Sequence, residues 1–179
     1  MALSYENLKR AEAIVARYPQ KRSALLPLLH LAQEQDGWVR PDSMRQIAEL
    51  VGITPAEVLG TASFYTMFKL RPVGDHIVSV CTNISCLLCG AEDILAVFEK
   101  ELGTSADGLS ADGKIWLEEA ECLAACGGAP CVQVNYEYFE NVSVKQAAEM
   151  AQALRRGTRP AGGLGLPSDF DSARRSSGG

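Results

Sequence analysis

The sequence of residues 76–90, HIVSVCTNISCLLCG, places a short run of β-branched residues directly before a group of cysteines. Runs rich in Val and Ile favour β-strands, so residues 76–80 are predicted to form one. The cysteines that follow it are Cys81, Cys86 and Cys89. A second group follows another predicted strand at residues 114–118, and its members are Cys122, Cys126 and Cys131. Because loops that leave strands of one sheet can meet at one edge, we expect the two groups to converge.

The rest of the chain predicts an α+β fold in which helices come first. Before residue 72 apolar residues recur at helical spacing, which predicts a bundle of four helices. The fourth has a clear start, because Thr54, Pro55 and Glu57 supply an N-cap, a first-turn proline and a capping box. Beyond residue 73 the pattern predicts a strand, an amphipathic helix at residues 90–102, three more strands and a last helix at residues 143–156.

These patterns predict three regions. Residues 1–72 form the helical N-terminal domain, residues 73–157 form an α/β domain that carries all the cysteines, and residues 158–179 form a disordered basic tail. Proline and glycine within residues 72–75 mark the boundary between the two domains.

Four large apolar side chains lie close together at the end of the helical region. They are Phe64, Tyr65, Met67 and Phe68. We expect them to pack in the core of the helical domain, and a docking surface for a partner is the alternative.

Composition excludes several classes of protein. The net charge of −5 and the pI near 5.1 do not favour binding to nucleic acid. The longest apolar stretches fall far short of the ~20 residues of a membrane helix, and the N-terminus has no basic region followed by an apolar one. A cytoplasmic protein without direct membrane insertion is therefore expected, with any link to a membrane made through partners.

The six cysteines indicate metal or redox chemistry, because cytosolic thiols are kept reduced and rarely form disulfide frameworks. Three interpretations compete. Cys86 and Cys89 form a CxxC typical of thiol–disulfide oxidoreductases, although this leaves four cysteines without a role. Two pairs, Cys86/Cys89 and Cys122/Cys126, match the spacing of a structural zinc site.

The third interpretation is a [2Fe–2S] cluster, whose ligands are thiolates. The spacing Cys81-x₄-Cys86-x₂-Cys89 with one distant cysteine matches plant-type ferredoxins. The spacing Cys81-x₄-Cys86 with Cys122-x₃-Cys126 takes two ligands from each loop instead. Spacing alone leaves open which four of the six cysteines bind iron.

Two motifs carry a resemblance to a known family. CTNISC at residues 81–86, with GAE at residues 90–92, resembles the first cluster motif of the thioredoxin-like [2Fe–2S] ferredoxins, and ECLAACGGAP at residues 121–130 resembles their second. RYP at residues 17–19, ALLPLL at residues 24–29 and ASFYTMF at residues 62–68 resemble one branch, the small flavoprotein-fragment subunits of respiratory NADH:quinone oxidoreductase (complex I). The resemblance covers about residues 5–156.

This resemblance implies a thioredoxin-like second domain and one [2Fe–2S] cluster. The implied ligands are Cys81, Cys86, Cys122 and Cys126. Cys89 and Cys131 match no ligand position and are expected to pack as small apolar thiols.

The same resemblance implies a function in electron transfer, as part of a complex and without catalysis by this chain alone. FMN and NADH are expected on a partner subunit, with which the cluster exchanges single electrons, and a further iron–sulfur subunit is a second expected partner. The implied location is the cytoplasmic face of the cell membrane, as a peripheral part of the complex. The equivalent diaphorase subunit of an NAD-linked formate dehydrogenase or hydrogenase is the alternative.

The acidic residues near the cysteines and the two histidines of the chain suggest two further points. Glu118, Glu119 and Glu121 directly precede Cys122, and negative charge there is expected to lower the potential of a cluster. A Rieske centre needs a His pair, but His30 lies in the helical region and His76 starts a strand, so this type of centre is not expected.

Overall fold

The computed structural model describes residues 2–164, which divide into two units between Pro72 and Val73. The first unit is helical. Its helices are α1 (Tyr5–Val15), α2 (Leu25–Asp36), α3 (Pro41–Val51) and α4 (Pro55–Phe64), with a 3₁₀ turn at Lys21–Ala24. Leu28, Leu29, Ile47 and Val58 are fully buried in one apolar core. The predicted helical bundle is therefore present.

The predicted start of α4 is confirmed in detail. The Thr54 hydroxyl accepts a hydrogen bond from the Glu57 N–H, and the Glu57 carboxylate accepts one from the Thr54 N–H. This reciprocal arrangement satisfies two backbone donors that a helix start otherwise leaves unpaired.

The four large apolar side chains at the end of the helical region are not all buried in the core as predicted. Phe68 is buried, but Phe64 is 78% exposed, and Tyr65 and Met67 are each more than a third exposed. The reason is the path of the backbone, which Gln33 fixes from within the core. The Gln33 amide donates to the Met67 carbonyl and accepts from the Lys69 N–H, so it draws Phe68 inward and leaves its neighbours outside.

The second unit contains a sheet with helices packed against it. Its strands are β1 (His76–Cys81), β2 (Gly108–Leu109), β3 (Ile115–Ala120), β4 (Val132–Val134) and β5 (Glu137–Phe139). Its helices are α5 (Ile84–Leu88), α6 (Ala91–Leu102) and α7 (Val144–Arg155). The predicted α+β class is confirmed, whereas the sequence pattern does not predict the short elements β2 and α5.

The sheet has the strand order β2-β3-β1-β4-β5. β1 and β3 are parallel, which requires the crossover through α5 and α6, and the other pairs are antiparallel. Fully buried side chains on one face, including Phe98 of α6, Leu117 of β3 and Leu154 of α7, join the helices to the sheet. In this register Cys81 lies opposite Ala120, so the loops that leave β1 and β3 start at the same edge.

Residues 158–164, the described part of the predicted tail, run beside β5. Leu164 and Tyr138 exchange backbone hydrogen bonds, and the Arg159 guanidinium binds the Glu137 carboxylate through two donors. These contacts cover the outer edge of the sheet, which would otherwise present unpaired backbone groups. Disorder was predicted for residues 158–179, of which residues 165–179 lie outside the described residues.

Within residues 2–164, no single helix has the length and apolar character needed to cross a membrane. α3 and α4 meet those criteria only when taken together, and the chain bends by 114° between them.

Candidate metal centre

The backbone brings both cysteine-bearing loops and Cys131 to one edge of the sheet. Cys81 is the last residue of β1, and its N–H donates to the Cys131 carbonyl over 3.1 Å. The N–H of the next residue, Thr82, donates to the carbonyl of Ala120 at the end of β3 over 3.0 Å. The first loop, the second loop and the residue before β4 therefore lie together.

The six cysteines separate into buried and exposed sets. Cys81, Cys86 and Cys131 are buried and pack with Ala91 in a small apolar cluster. Cys89, Cys122 and Cys126 are exposed. Burial of Cys131 agrees with its expected packing as an apolar thiol, whereas Cys89 does not pack, because it lies at the exposed C-terminal end of α5.

The start of helix α5 sets the geometry of the first loop. The Asn83 side chain accepts a hydrogen bond from the Ile84 N–H, and this cap begins α5 shortly after Cys81. One turn of helix then turns Cys86 back into the buried cluster. It leaves Ile84 and Leu88 in solvent, 67% and 81% exposed.

The second loop uses a backbone conformation that L-residues rarely adopt. Ala124 has a φ of 57°, and its N–H donates to the Sγ of Cys122 over 3.3 Å. A backbone N–H directed at sulfur stabilises a thiolate, which is the form that binds metal. Cys126 then begins a single 3₁₀ turn that ends at Gly128.

Electrostatic interactions link four of the thiols. Burial raises the pKa of Cys86, a hydrogen bond from the Cys131 backbone opposes the rise, and the neighbouring Cys81 and Cys126 add to it. Burial raises the pKa of Cys131 to about 12, with the charges of Cys86, Cys81, Glu140 and Cys126 adding to it in that order. Thiolates gathered in this way repel one another, and bound cationic iron would offset that repulsion.

The set of donors fits a [2Fe–2S] cluster. A [2Fe–2S] cluster shares four cysteine ligands between two iron atoms, so it needs two thiolates at each iron. The predicted ligands offer this division, with Cys81 and Cys86 from the first loop and Cys122 and Cys126 from the second.

The histidine and acidic side chains that the sequence places near the cysteines lie in different surroundings. His76 is at the start of β1, the opposite end from Cys81, where its Nδ1 lies 3.1 Å from the Asn135 amide nitrogen. Glu118 accepts hydrogen bonds from Ser79 and Trp116, and Glu119 accepts one from Thr82.

Sequence reasoning misses Glu140, which lies nine residues beyond the last cysteine. No motif or spacing links it to the cysteine loops. Only its place beside the second loop in the folded chain shows its relation to them.

The CxxC of Cys86 and Cys89 lacks the features of a redox-active thiol pair. A reactive thiol is expected to be accessible and to have a lowered pKa, often at a helix N-terminus. Cys86 is instead buried with a raised pKa, and Cys89 follows the C-terminal end of α5. The structure therefore does not favour the thiol–disulfide interpretation.

Comparison with known proteins gives consistent matches. The sequence profile described as "Thioredoxin-like [2Fe-2S] ferredoxin" matches residues 11–155. A Mycobacterium tuberculosis protein, named as a subunit of NADH-quinone oxidoreductase, is 44% identical over 157 residues, which cover 88% of this chain and 62% of that protein. A Thermus thermophilus protein, also named as a subunit of NADH-quinone oxidoreductase, is 39% identical over 151 residues, and the match covers 83% of each chain.

Solved structures show the same fold. A chain of an NAD⁺-reducing [NiFe]-hydrogenase in the H₂-reduced state aligns with a TM-score of 0.68 and 16% identity. The alignment covers 81% of the present chain and 23% of the hydrogenase chain. At this identity the likeness concerns the fold.

Proposed function

The chain belongs to the thioredoxin-like [2Fe–2S] ferredoxin family, and from this membership we propose that it is an electron-transfer subunit of an NADH:quinone oxidoreductase. The observation that carries the proposal is identity of 39–44% over most of the chain to proteins named as subunits of that enzyme. The chain spans 62% of the length of the mycobacterial relative, so the activity of the whole relative enters here as part of the proposal.

We assign the cluster ligands to Cys81, Cys86, Cys122 and Cys126. Support comes from the common edge at which β1 and β3 end, because Cys81 and Cys86 lie at or beyond the end of β1, and Cys122 and Cys126 lie beyond the end of β3. Cys131 is buried beside Cys81 and Cys86, and its role in this assignment is to pack against the ligand loops.

The residues of this chain hold and shield the site. Cys81 and Cys86 exclude water through their burial with Ala91, and Leu123 and Ala129 pack against them from the second loop. The Ala124 N–H provides a hydrogen bond to the Cys122 sulfur. A bound [2Fe–2S] cluster supplies one-electron redox chemistry. A hydride donor such as NADH releases two electrons together, so it cannot reduce the cluster directly.

The difference between two-electron NADH and a one-electron cluster indicates which partners this chain needs. Oxidation of NADH releases two electrons as a hydride, and a flavin divides them into single-electron steps. We propose that FMN and NADH bind to a neighbouring subunit, and that its reduced flavin gives one electron to the site on this chain. A further iron–sulfur subunit of the same complex is the second proposed partner, and the assembly lies peripherally on the cytoplasmic face of the membrane.

The test is iron and acid-labile sulfide analysis of anaerobically purified protein, with an EPR spectrum after reduction by dithionite. We expect about two irons and two sulfides per chain and an S = 1/2 signal. One zinc per chain, or no metal and a reversible disulfide, would contradict the assignment.

A second experiment tests the place in the complex. NADH is added to the purified chain alone and to the chain co-purified with a flavin-binding subunit, and the EPR signal is followed. We expect NADH to produce the signal only when the flavin-binding subunit is present. Reduction by NADH without flavin, or no reduction with it, would contradict the proposed role.

A further inference from the structure

The side chain of Glu140 lies against the second cysteine loop. A Cβ atom added to Gly128 would overlap the Glu140 carboxylate and its Cγ, so the carboxylate occupies the space that any other residue at position 128 would fill. Gly128 is buried, and it lies two residues beyond Cys126 in the single 3₁₀ turn of that loop. The Glu140 carboxylate can therefore lie this close to the second loop only because residue 128 has no side chain.

Backbone hydrogen bonds hold Glu140 in this place. The Asn141 N–H donates to the Gly128 carbonyl over 2.7 Å, and the Val142 N–H donates to the Pro130 carbonyl over 3.0 Å. Two successive bonds fasten the segment after β5 to the segment after Cys126. A bond to Glu140 itself is not needed, because its neighbours are fixed on the loop.

The carboxylate of Glu140 lies close enough to the buried Cys131 to contribute to the raised pKa of that thiol. It is one of the negative charges that act on Cys131, together with those of Cys86, Cys81 and Cys126. Within residues 2–164, no ion pair joins Glu140 to a cation. Among the described residues, no cation therefore neutralises its charge, and solvent and dissolved ions screen it.

We propose that Glu140 lowers the midpoint potential of the [2Fe–2S] cluster, with Gly128 serving to admit its carboxylate to the ligand loop. This inference rests on the proposed function. Reduction adds one electron to the site and changes no bond in the protein, and a fixed negative charge close by disfavours that addition. Glu140 therefore acts on the cluster through its negative charge and is not one of the ligands.

The test compares midpoint potentials in the full chain, measured by dithionite titration with EPR detection. Glu140→Gln removes the charge and keeps the shape, and Glu140→Asp keeps the charge. The matched control is Glu101→Gln, which removes one carboxylate near the other end of α6. Glu101 lies ~15 Å along that helix from Ala91, which packs beside the buried cysteines.

We expect a positive shift of the potential in Glu140→Gln, a smaller shift in Glu140→Asp and the smallest in Glu101→Gln. Added salt should reduce the difference between wild type and Glu140→Gln, because it screens the carboxylate. An unchanged potential in Glu140→Gln, or an equal shift in Glu101→Gln, would overturn this inference while leaving the proposed function intact. A wild-type chain that binds no iron would overturn both.

Discussion

The carboxylate of Glu119 accepts a hydrogen bond from the hydroxyl of Thr82 over 2.6 Å. This bond ties the end of β3 to the residue that follows Cys81, so a negative charge is fixed beside the first cysteine loop. The adjacent Glu118 is also held, by Ser79 and Trp116, whereas Glu121 is exposed. The acidic run before Cys122 is therefore partly ordered by contacts across the sheet.

Replacement of Glu118, Glu119 and Glu121 together by Gln is expected to raise the midpoint potential of the cluster. The reason is that three negative charges next to the ligand loops disfavour the more negative reduced state. The measurement is an EPR-monitored redox titration of the full chain. Single Gln variants provide the comparison, and we expect Glu119→Gln to account for more of the shift than Glu121→Gln. A triple variant with the potential of wild type would refute the prediction.

Loss of a ligand thiol is expected to lower the iron content. Cys122→Ser and Cys126→Ser are expected to retain much less iron and acid-labile sulfide than wild type, because each removes one of four thiolate ligands. Cys89→Ser is the matched control, since Cys89 is exposed like them and belongs to neither assigned pair. If Cys89→Ser loses the iron and Cys122→Ser keeps it, the ligand assignment is wrong.

Removal of the helix cap at Thr54 is expected to destabilise the helical unit. Thr54→Ala deletes the hydroxyl that accepts the Glu57 N–H, and loss of such a cap costs about 1 kcal/mol of unfolding free energy. Urea unfolding followed by circular dichroism measures the change. Thr54→Ser keeps the hydroxyl and should remain close to wild type. Equal destabilisation by both variants would show that the methyl group, and not the hydrogen bond, matters.

The stability of the helical unit is expected to depend on pH through His30. Its ring packs edge-on against Phe68, with ring centres 4.8 Å apart, and partial burial lowers its pKa from the usual 6.5. The unfolded chain then takes up a proton more readily than the folded chain. The stability that neutral His30 contributes is therefore present above pH 6.5 and is lost as the pH falls through 6.5 and the lower folded value.

His30→Gln tests this dependence because it removes the titrating group. Unfolding free energies of wild type and variant are compared from about pH 8 to about pH 5. We expect the wild type to lose more stability than the variant over this range. Parallel curves for the two proteins would exclude His30 as the source.

Local sequence signals account for much of the fold. The β-branched run before Cys81 predicts β1, and the capping residue Thr54 marks the start of α4, which begins with a capping box in the structure. These features involve residues a few positions apart, so their hydrogen bonds and steric preferences are contained in a short stretch of sequence. The cysteine motifs that carry the family resemblance also lie within short stretches, so the sequence shows them directly.

Relations between distant residues were decided by the tertiary structure. The sequence does not show that Phe68 is buried while Phe64 is exposed, because the hydrogen bonds of Gln33 from α2 set the path of that segment. Nor does it separate buried Cys131 from exposed Cys89, because the burial of each depends on which elements pack over it.

For this protein, the sequence alone determined the longer helices and strands, their order and the two cysteine loops, because each depends on neighbours along the chain. The pairing of β1 with β3 decided that both loops leave one edge. The hydrogen bonds of Asn141 and Val142 decided that Glu140 lies over Gly128. Such contacts form only when the chain folds back on itself, and their energies depend on distances in space that no spacing in the sequence specifies.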